Sequence, residues 1–219
     1  KEKHKEFINF LRKLRENKQF PEIPDLNKKT ECFIKDFEEQ FNDYFYKDSK
    51  EIIFLRHAKT SLNKENYFLG QKSNSSIITP DKKILNKLKE ALKDFNLIFS
   101  SPLNRCRESV SLITERNPVI DNRLNEINYG EVDGKDLDYL SKNFSKIIES
   151  WEFGEDPKFP NGENNRDVYK RLSSFIQTIK ITKKKKILVC THNVFLRCLI
   201  GSYAKIPMKE WYKINIPYF

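Results

Sequence analysis

The sequence predicts an α/β fold over residues 51–219, preceded by a helical extension over residues 1–50. Three observations predict it. From Glu51 onward, short apolar runs alternate with amphipathic stretches, as strands alternate with helices. Before that point apolar residues recur only at helical spacing. Finally, the polar residues best suited to chemistry gather just after the apolar runs, where an open α/β sheet binds its ligands.

Taken in order, Phe7, Phe10, Leu11 and Leu14 share one face of a first helix, and Ile34, Phe37, Phe41, Tyr44 and Phe45 one face of a second. Between them "FPEIPDLN" carries two prolines that break the pattern, with Asn27 or Thr30 available as caps. These helices hold no recognisable chemistry. They are expected to cover part of the main domain, to link to an upstream domain or to pair in a homodimer. The strands are "EIIFL" from Glu51, "FNLIFS" from Phe95 and "KILVC" from Lys186. The amphipathic stretches run from Lys82 to Leu92, Asn104 to Ile113, Val168 to Ile179 and Val194 to Ile200.

Composition narrows the class. A chain of 219 residues suits one domain of ordinary size with an appendage, and such a domain buries about 70% of its unfolded surface. No window approaches the roughly 18 apolar residues of a membrane span. Cys32, Cys106, Cys190 and Cys198 show no Cys-x-x-Cys pairing, and with three histidines they offer no zinc spacing. They read as reduced thiols of a cytoplasmic protein. The net charge of +10 invites a nucleic-acid reading, but the basic residues are scattered. The one dense run, Lys183 to Lys186, reads as a solvated loop before a strand. No nucleic-acid or membrane partner is expected, although the charge can help draw an anionic substrate. The first residue is Lys1 rather than Met, which leaves room for an upstream segment, a targeting peptide among them.

Three strand ends deliver two histidines and two arginines to one sheet edge: Arg56 and His57 after the first, Arg105 in "SSPLNRCRES" after the second, His192 in "CTHN" after the third. Such a set suits phosphoryl transfer. Neutral imidazole attacks phosphorus well, and a phosphohistidine is reactive enough to be hydrolysed in a second step. Arginine forks match phosphate oxygens, and a second histidine adds charge stabilisation. A proton donor for the leaving oxygen is still needed, and "RLNEINYGEVDG" offers Glu126, Glu131 and Asp133 without choosing among them.

These residues resemble the histidine phosphatase superfamily, the phosphoglycerate mutase-like proteins, from about Ile52 to Trp211. "LRHAKTSLN" is similar to that family's Arg-His-Gly-x-Thr-x-x-Asn signature, and Gly70 falls where its loop glycine belongs. "NLIFSSPLNRCRESVSLI" resembles its Ser-Ser-Pro-x-x-Arg segment, "RLNEINYGEVDGK" the block bearing the acid, "FPNGENNRDVYKRL" the later Gly-Glu block and "ILVCTHNVFLR" the second-histidine block. The resemblance implies a three-layer α/β/α fold with a mostly parallel central sheet. It implies His57 as nucleophile, with Arg56, Arg105 and His192 on the phosphoryl oxygens and Asn63 and Gly70 at the pocket. Glu126 becomes the acid that protonates the leaving oxygen and then takes a proton from water. Glu163 is expected to be structural or at the pocket edge, and neither metal nor other cofactor is implied. The partner would be a small phosphate ester.

Departures qualify what the resemblance carries. Ala58 replaces the commoner glycine after the nucleophile, and Leu69 stands where relatives often carry a hydroxyl or amide. In cofactor-dependent phosphoglycerate mutases an arginine follows the acid and a later arginine pair grips the substrate carboxylate. The matching positions here read Ile127 and the acidic "ESWEFGEDP", so a phosphatase is expected ahead of a mutase. The residues between Tyr129 and Gly162 are expected to form the lid that sets the substrate. A cysteine phosphatase would need Cys-x5-Arg, whereas Cys190 and Arg197 give Cys-x6-Arg, so Cys190 reads as strand interior. A non-catalytic docking module is the remaining alternative, and it is disfavoured because the charged set is complete.

Overall fold

Strand β1 (Glu51–Arg56) and strand β4 (Lys186–Thr191) are runs of β-branched and large apolar residues that end abruptly in polar ones. That composition suits a sheet covered on both faces. In the computed structural model, which describes residues 49–219 apart from Glu65 and Asn66, they pair in parallel. Strand β2 (Leu97–Ser100) pairs in parallel on the other side of β4, and β3 (Val119–Ile120) pairs in parallel with β2. The sheet order is therefore β1-β4-β2-β3. The helices expected over residues 1–50 lie outside the described residues.

Among the described residues six helices accompany the sheet: α1 (Lys82–Leu92), α2 (Asn104–Ile113), α3 (Leu137–Asn143), α4 (Ser145–Glu152), α5 (Asn165–Ile181) and α6 (Asn193–Tyr203). Side-chain caps explain where three of them start. Asp81 accepts from the Lys83 and Ile84 amides, Asp136 from that of Tyr139 and Asn164 from that of Asp167, which satisfies donors that a helix start leaves orphaned. Helix α6 has no such cap at His192, and its first amides find a carboxylate elsewhere, described below.

Alternation along the strands builds two cores. Phe99, Ile187 and Val189 face one way, with Ile52 and Phe54, into a cluster that includes Phe175, Leu172, Phe195 and Trp211. Ile98, Leu188 and Cys190 face the other, with Ile53 and Leu55, against Cys106, Val110 and Leu92. Helices α5 and α6 thus cover one face and α1 and α2 the other, giving the three layers α/β/α. Cys190 is a strand-interior residue, as its spacing to Arg197 suggests. Strand β3, whose Val119 and Ile120 are about half exposed, is an edge strand too short to leave a pattern in the sequence. No helix among the described residues is long and apolar enough to cross a membrane.

The consequence for the site lies in the strand order. Because β4 sits between β1 and β2, its end is flanked by theirs. The hydrogen-bond ladder runs one residue past each strand: the His57 amide donates to Thr191 and the Ser101 amide to Cys190. His57, His192 and the segment leading to Arg105 are thereby fixed side by side.

Candidate active site

His57 leaves β1 almost fully buried. Its Nδ1 lies 2.7 Å from the Ala58 carbonyl oxygen. A carbonyl only accepts, so Nδ1 carries the proton and Nε2 holds a lone pair. Burial, Arg105 and Arg56 together push the imidazole down to about 3, against the pull of the Ala58 carbonyl. At neutral pH the ring is an uncharged base with its free nitrogen fixed. Ala58 is itself held by Ser109 of α2, whose hydroxyl accepts from the Ala58 amide (2.8 Å) and donates to the Arg105 carbonyl (2.6 Å). One serine therefore joins the loop after His57 to the helix that carries Arg105.

Arg105 is 2% exposed, and three of its five N–H groups are spoken for. Nε donates to His192 Nδ1 (3.2 Å), Nη1 to the Ser73 carbonyl (2.7 Å) and Nη2 to the Gly70 carbonyl (2.9 Å). The remaining N–H groups of the fork are left for an anion. Gly70 earns its place here by close approach. A Cβ on it would meet Asp133 Oδ2 at 2.7 Å and the Ile127 carbonyl at 2.9 Å, so a side chain would displace the carbonyl on which Arg105 rests.

His192 is completely buried, its ring centroid 5.1 Å from that of His57. Arginine cannot accept, so Nδ1 is the acceptor from Arg105 and the proton sits on Nε2, which donates to Ser101 Oγ at 2.8 Å. Ser101 passes the chain on to Asn125 Oδ1 (2.8 Å). Burial, then Arg105, hold His192 well below its ordinary range.

Glu126 closes the site. Its Oε1 accepts from the Ile127 and Val194 amides (3.0 and 3.1 Å) and its Oε2 from the Asn193 amide (3.1 Å). It thus serves as the cap that α6 lacks, from a segment 67 residues away. Those amides, with Arg105, Arg56 and Arg171, favour the carboxylate, but burial outweighs them and raises its pKa. The Glu126 backbone is braced in turn: Arg171 donates to the carbonyls of Arg123, Asn125 and Glu126 while paired with Glu163. Glu163 also accepts from the Asn128 amide, which is a structural role.

The remaining expected residues divide. Arg56 is partly buried at the β1 end; its Nη1 donates to the Ile216 carbonyl, its guanidinium lies over Tyr218, and its buried Nε has no partner among the described residues. Asn63 lies in the turn after His57, where its Oδ1 accepts from the Thr60 amide and hydroxyl; it shapes the loop. Glu131 and Asp133 stand apart from Glu126's role. Glu131 bonds Asn161 at 2.6 Å, and Asp133 accepts from the Gly70 and Lys72 amides and the Ser73 hydroxyl. The stretch between Tyr129 and Gly162 contains α3 and α4, and its Tyr129, Trp151 and Phe159 form an aromatic cluster that Phe68 joins from outside the stretch. Among the described residues no group of three or more His, Cys, Asp or Glu converges as metal ligands would.

Sequence reasoning did not single out Ser101, Ser109, Arg171 or Tyr218. The serines lie inside the quoted "SSPLNRCRES", and Ser109 follows Arg105 by one helical turn, so its position was available. Nothing local marks Tyr218, which meets Arg56 across most of the domain.

A sheet edge that sets an uncharged imidazole nitrogen beside two arginines, with a burial-raised carboxyl nearby, has the charge and geometry to receive a phosphoryl group. The chain belongs to the histidine phosphatase superfamily (branch 1), whose family profile matches residues 52–219. It is 26% identical over 205 residues to the 2,3-bisphosphoglycerate-dependent phosphoglycerate mutase of Methanococcus vannielii, covering 76% of this chain and 86% of that one. Among solved structures it is similar to the phosphoserine phosphatase of Entamoeba histolytica (TM-score 0.66, 19% identity, 76% of this chain and 86% of that one). It also resembles the mycobacterial glucosyl-3-phosphoglycerate phosphatase (TM-score 0.61, 20% identity, 76% and 88%). At these identities the two structures speak for the fold alone.

Proposed function

We propose that the protein is a phosphomonoester hydrolase acting on a small phosphorylated metabolite through a phosphohistidine at His57. The observation that carries this is the fixed tautomer of His57: Nδ1 is committed to the Ala58 carbonyl, and Nε2 is unprotonated in a cationic pocket. In the first step the Nε2 lone pair forms an N–P bond as the P–O bond to the leaving group breaks. Glu126 gives its proton to the departing oxygen. In the second, water oxygen bonds to phosphorus, the N–P bond breaks, and the water's proton returns to Glu126. Arg105 and Arg56 bind the phosphoryl oxygens, and His192, keeping its proton, redirects its Nε2–H hydrogen bond from Ser101 to one of them. A protonated Glu126, favoured by its burial, is the form the first step needs.

Phosphoryl transfer of the mutase type is the second reading, favoured by the mutase relative. Against it, Ile127 is 3% exposed and packed in the apolar core, so no cation follows the acid to grip a substrate carboxylate. The test is a screen against p-nitrophenyl phosphate, phosphoserine, 3-phosphoglycerate and a panel of sugar and nucleotide phosphates, with His57→Ala as control. Hydrolysis that vanishes in the variant supports the phosphatase. Isomerisation of 3-phosphoglycerate with every ester intact would replace it with the mutase, and inertness toward all of them would favour a docking module.

A further inference from the structure

We propose that Tyr218 is a positioning residue for Arg56, and that the segment 214–219 forms one wall of the phosphate site; the proposal rests on the reading of that site given above. The Arg56 guanidinium carbon lies 3.6 Å from the centroid of the Tyr218 ring, and that ring lies 5.7 Å from the ring of His57. The same arginine donates through Nη1 to the Ile216 carbonyl. Two residues of one short segment therefore fix the plane of the guanidinium and one of its corners. What is left over is informative: Nε is buried and has no hydrogen-bond partner among the described residues. A buried, charged donor without an acceptor is costly unless a ligand completes it, and a phosphoryl oxygen would do so.

The segment is held firmly enough to act as a wall. The Ile214 carbonyl accepts from Arg197 of α6 at 2.9 Å, and Ile214 packs on the core cluster of that sheet face. Ile216 is buried. Phe219 packs with Ile53 and Leu55 on the cluster of the opposite face. The segment thus passes around β1, an outer strand of the sheet, and Tyr218 lies between anchors on both faces. Arg105 needs no such device, since two carbonyls and His192 hold it inside the fold. Arg56, at the rim, has only this segment among the described residues.

The experiment is orthovanadate binding by titration calorimetry to wild type, Tyr218→Phe, Tyr218→Ala, Arg56→Ala and the double variant, with melting midpoints taken alongside. A stacked guanidinium is expected to lose about tenfold in vanadate affinity on Tyr218→Ala and less than about threefold on Tyr218→Phe, which keeps the aromatic face. The Tyr218→Ala loss should disappear in the Arg56→Ala background, because the tyrosine acts through that arginine. Wild-type affinity in Tyr218→Ala, or losses that multiply in the double variant, would overturn the proposal while leaving the phosphatase reading intact. A wild type that binds no vanadate would overturn both. Should Tyr218→Ala fail to fold, Tyr218→Leu removes the aromatic face while keeping most of the bulk and is read the same way.

Discussion

Replacing Glu126 with glutamine separates the two tasks of that side chain, and the structure gives a magnitude for each. Glutamine keeps one acceptor oxygen and substitutes an amide group for the other. With its oxygen turned toward the Ile127 and Val194 amides, its NH2 faces the Asn193 amide. One partly buried donor at the start of α6 then loses its partner, at a cost of about 1–3 kcal/mol. For a domain of this size that corresponds to a melting midpoint about 2–12 °C lower. The chemical loss is larger and selective. A positioned acid contributes about 10²–10⁴-fold, on the order of 3–5 kcal/mol of barrier, but only when the leaving oxygen needs a proton. Turnover of an alkyl ester such as β-glycerophosphate should fall about 10²-fold or more, and turnover of p-nitrophenyl phosphate much less. The assay is kcat on both substrates, well below the lowered midpoint. Equal losses on the two would refute the assignment of Glu126 as proton donor and leave it only its role at the helix start.

Other expectations follow from the same geometry. His57→Ala should abolish turnover of every ester, and substantial residual hydrolysis in a direct assay would remove His57 as nucleophile. Since the folded pKa of His57 is lowered to about 3, the unfolded chain takes up the proton first as pH falls. Its contribution is therefore complete above about pH 6.5 and is lost on the way to pH 3, on the order of a few kcal/mol. His192 acts in the same direction and Glu126, whose pKa is raised, in the opposite one. Urea unfolding of wild type and His57→Asn at pH 7.5 and pH 5 isolates the His57 share, and an equal slope in both proteins would show that the ring is not held neutral. Ser109→Ala removes the hydroxyl between the Ala58 amide and the Arg105 carbonyl. It should cost about 1–3 kcal/mol in chemical denaturation and lower kcat about tenfold or more, with an unchanged kcat counting against a link between the two loops.

The candidate site is legible in the sequence because its residues follow strands. Arg56, His57 and His192 adjoin apolar runs that can only be buried strands, and Arg105 opens a helix whose amphipathic pattern matches the observed Asn104–Ile113. Spacing leaves Glu126, Glu131 and Asp133 open, and only the resemblance singles out Glu126. What sets it apart in the structure is its contact with the start of α6, which spans 67 residues and leaves no local mark. Strand β3 was missed because two half-exposed residues leave no period. Tyr218 was missed for a similar reason: an aromatic in an irregular segment looks like any other until the fold brings Arg56 beneath it. Asn63 and Gly70 were found by position in a motif, and the structure gives them the work of shaping loops and backing Arg105.

The insertion of β4 between β1 and β2 also bears on how the molecule comes into being. Leu55 is registered with Cys190, and Ile98 with Leu188, so the two early strands never hydrogen-bond to each other. During synthesis they wait, with facing edges unpaired, for a strand made about a hundred residues later. Non-local pairing of this kind folds slowly, in about milliseconds to seconds, and leaves those edges open to other chains in the meantime. A nascent chain that has emerged only as far as Ile181 already carries His57, both arginines and Glu126, yet lacks the strand that sets β1 and β2 at their spacing. Competence for chemistry should thus arrive in a single late event, when the last strand of the sheet slides into its middle.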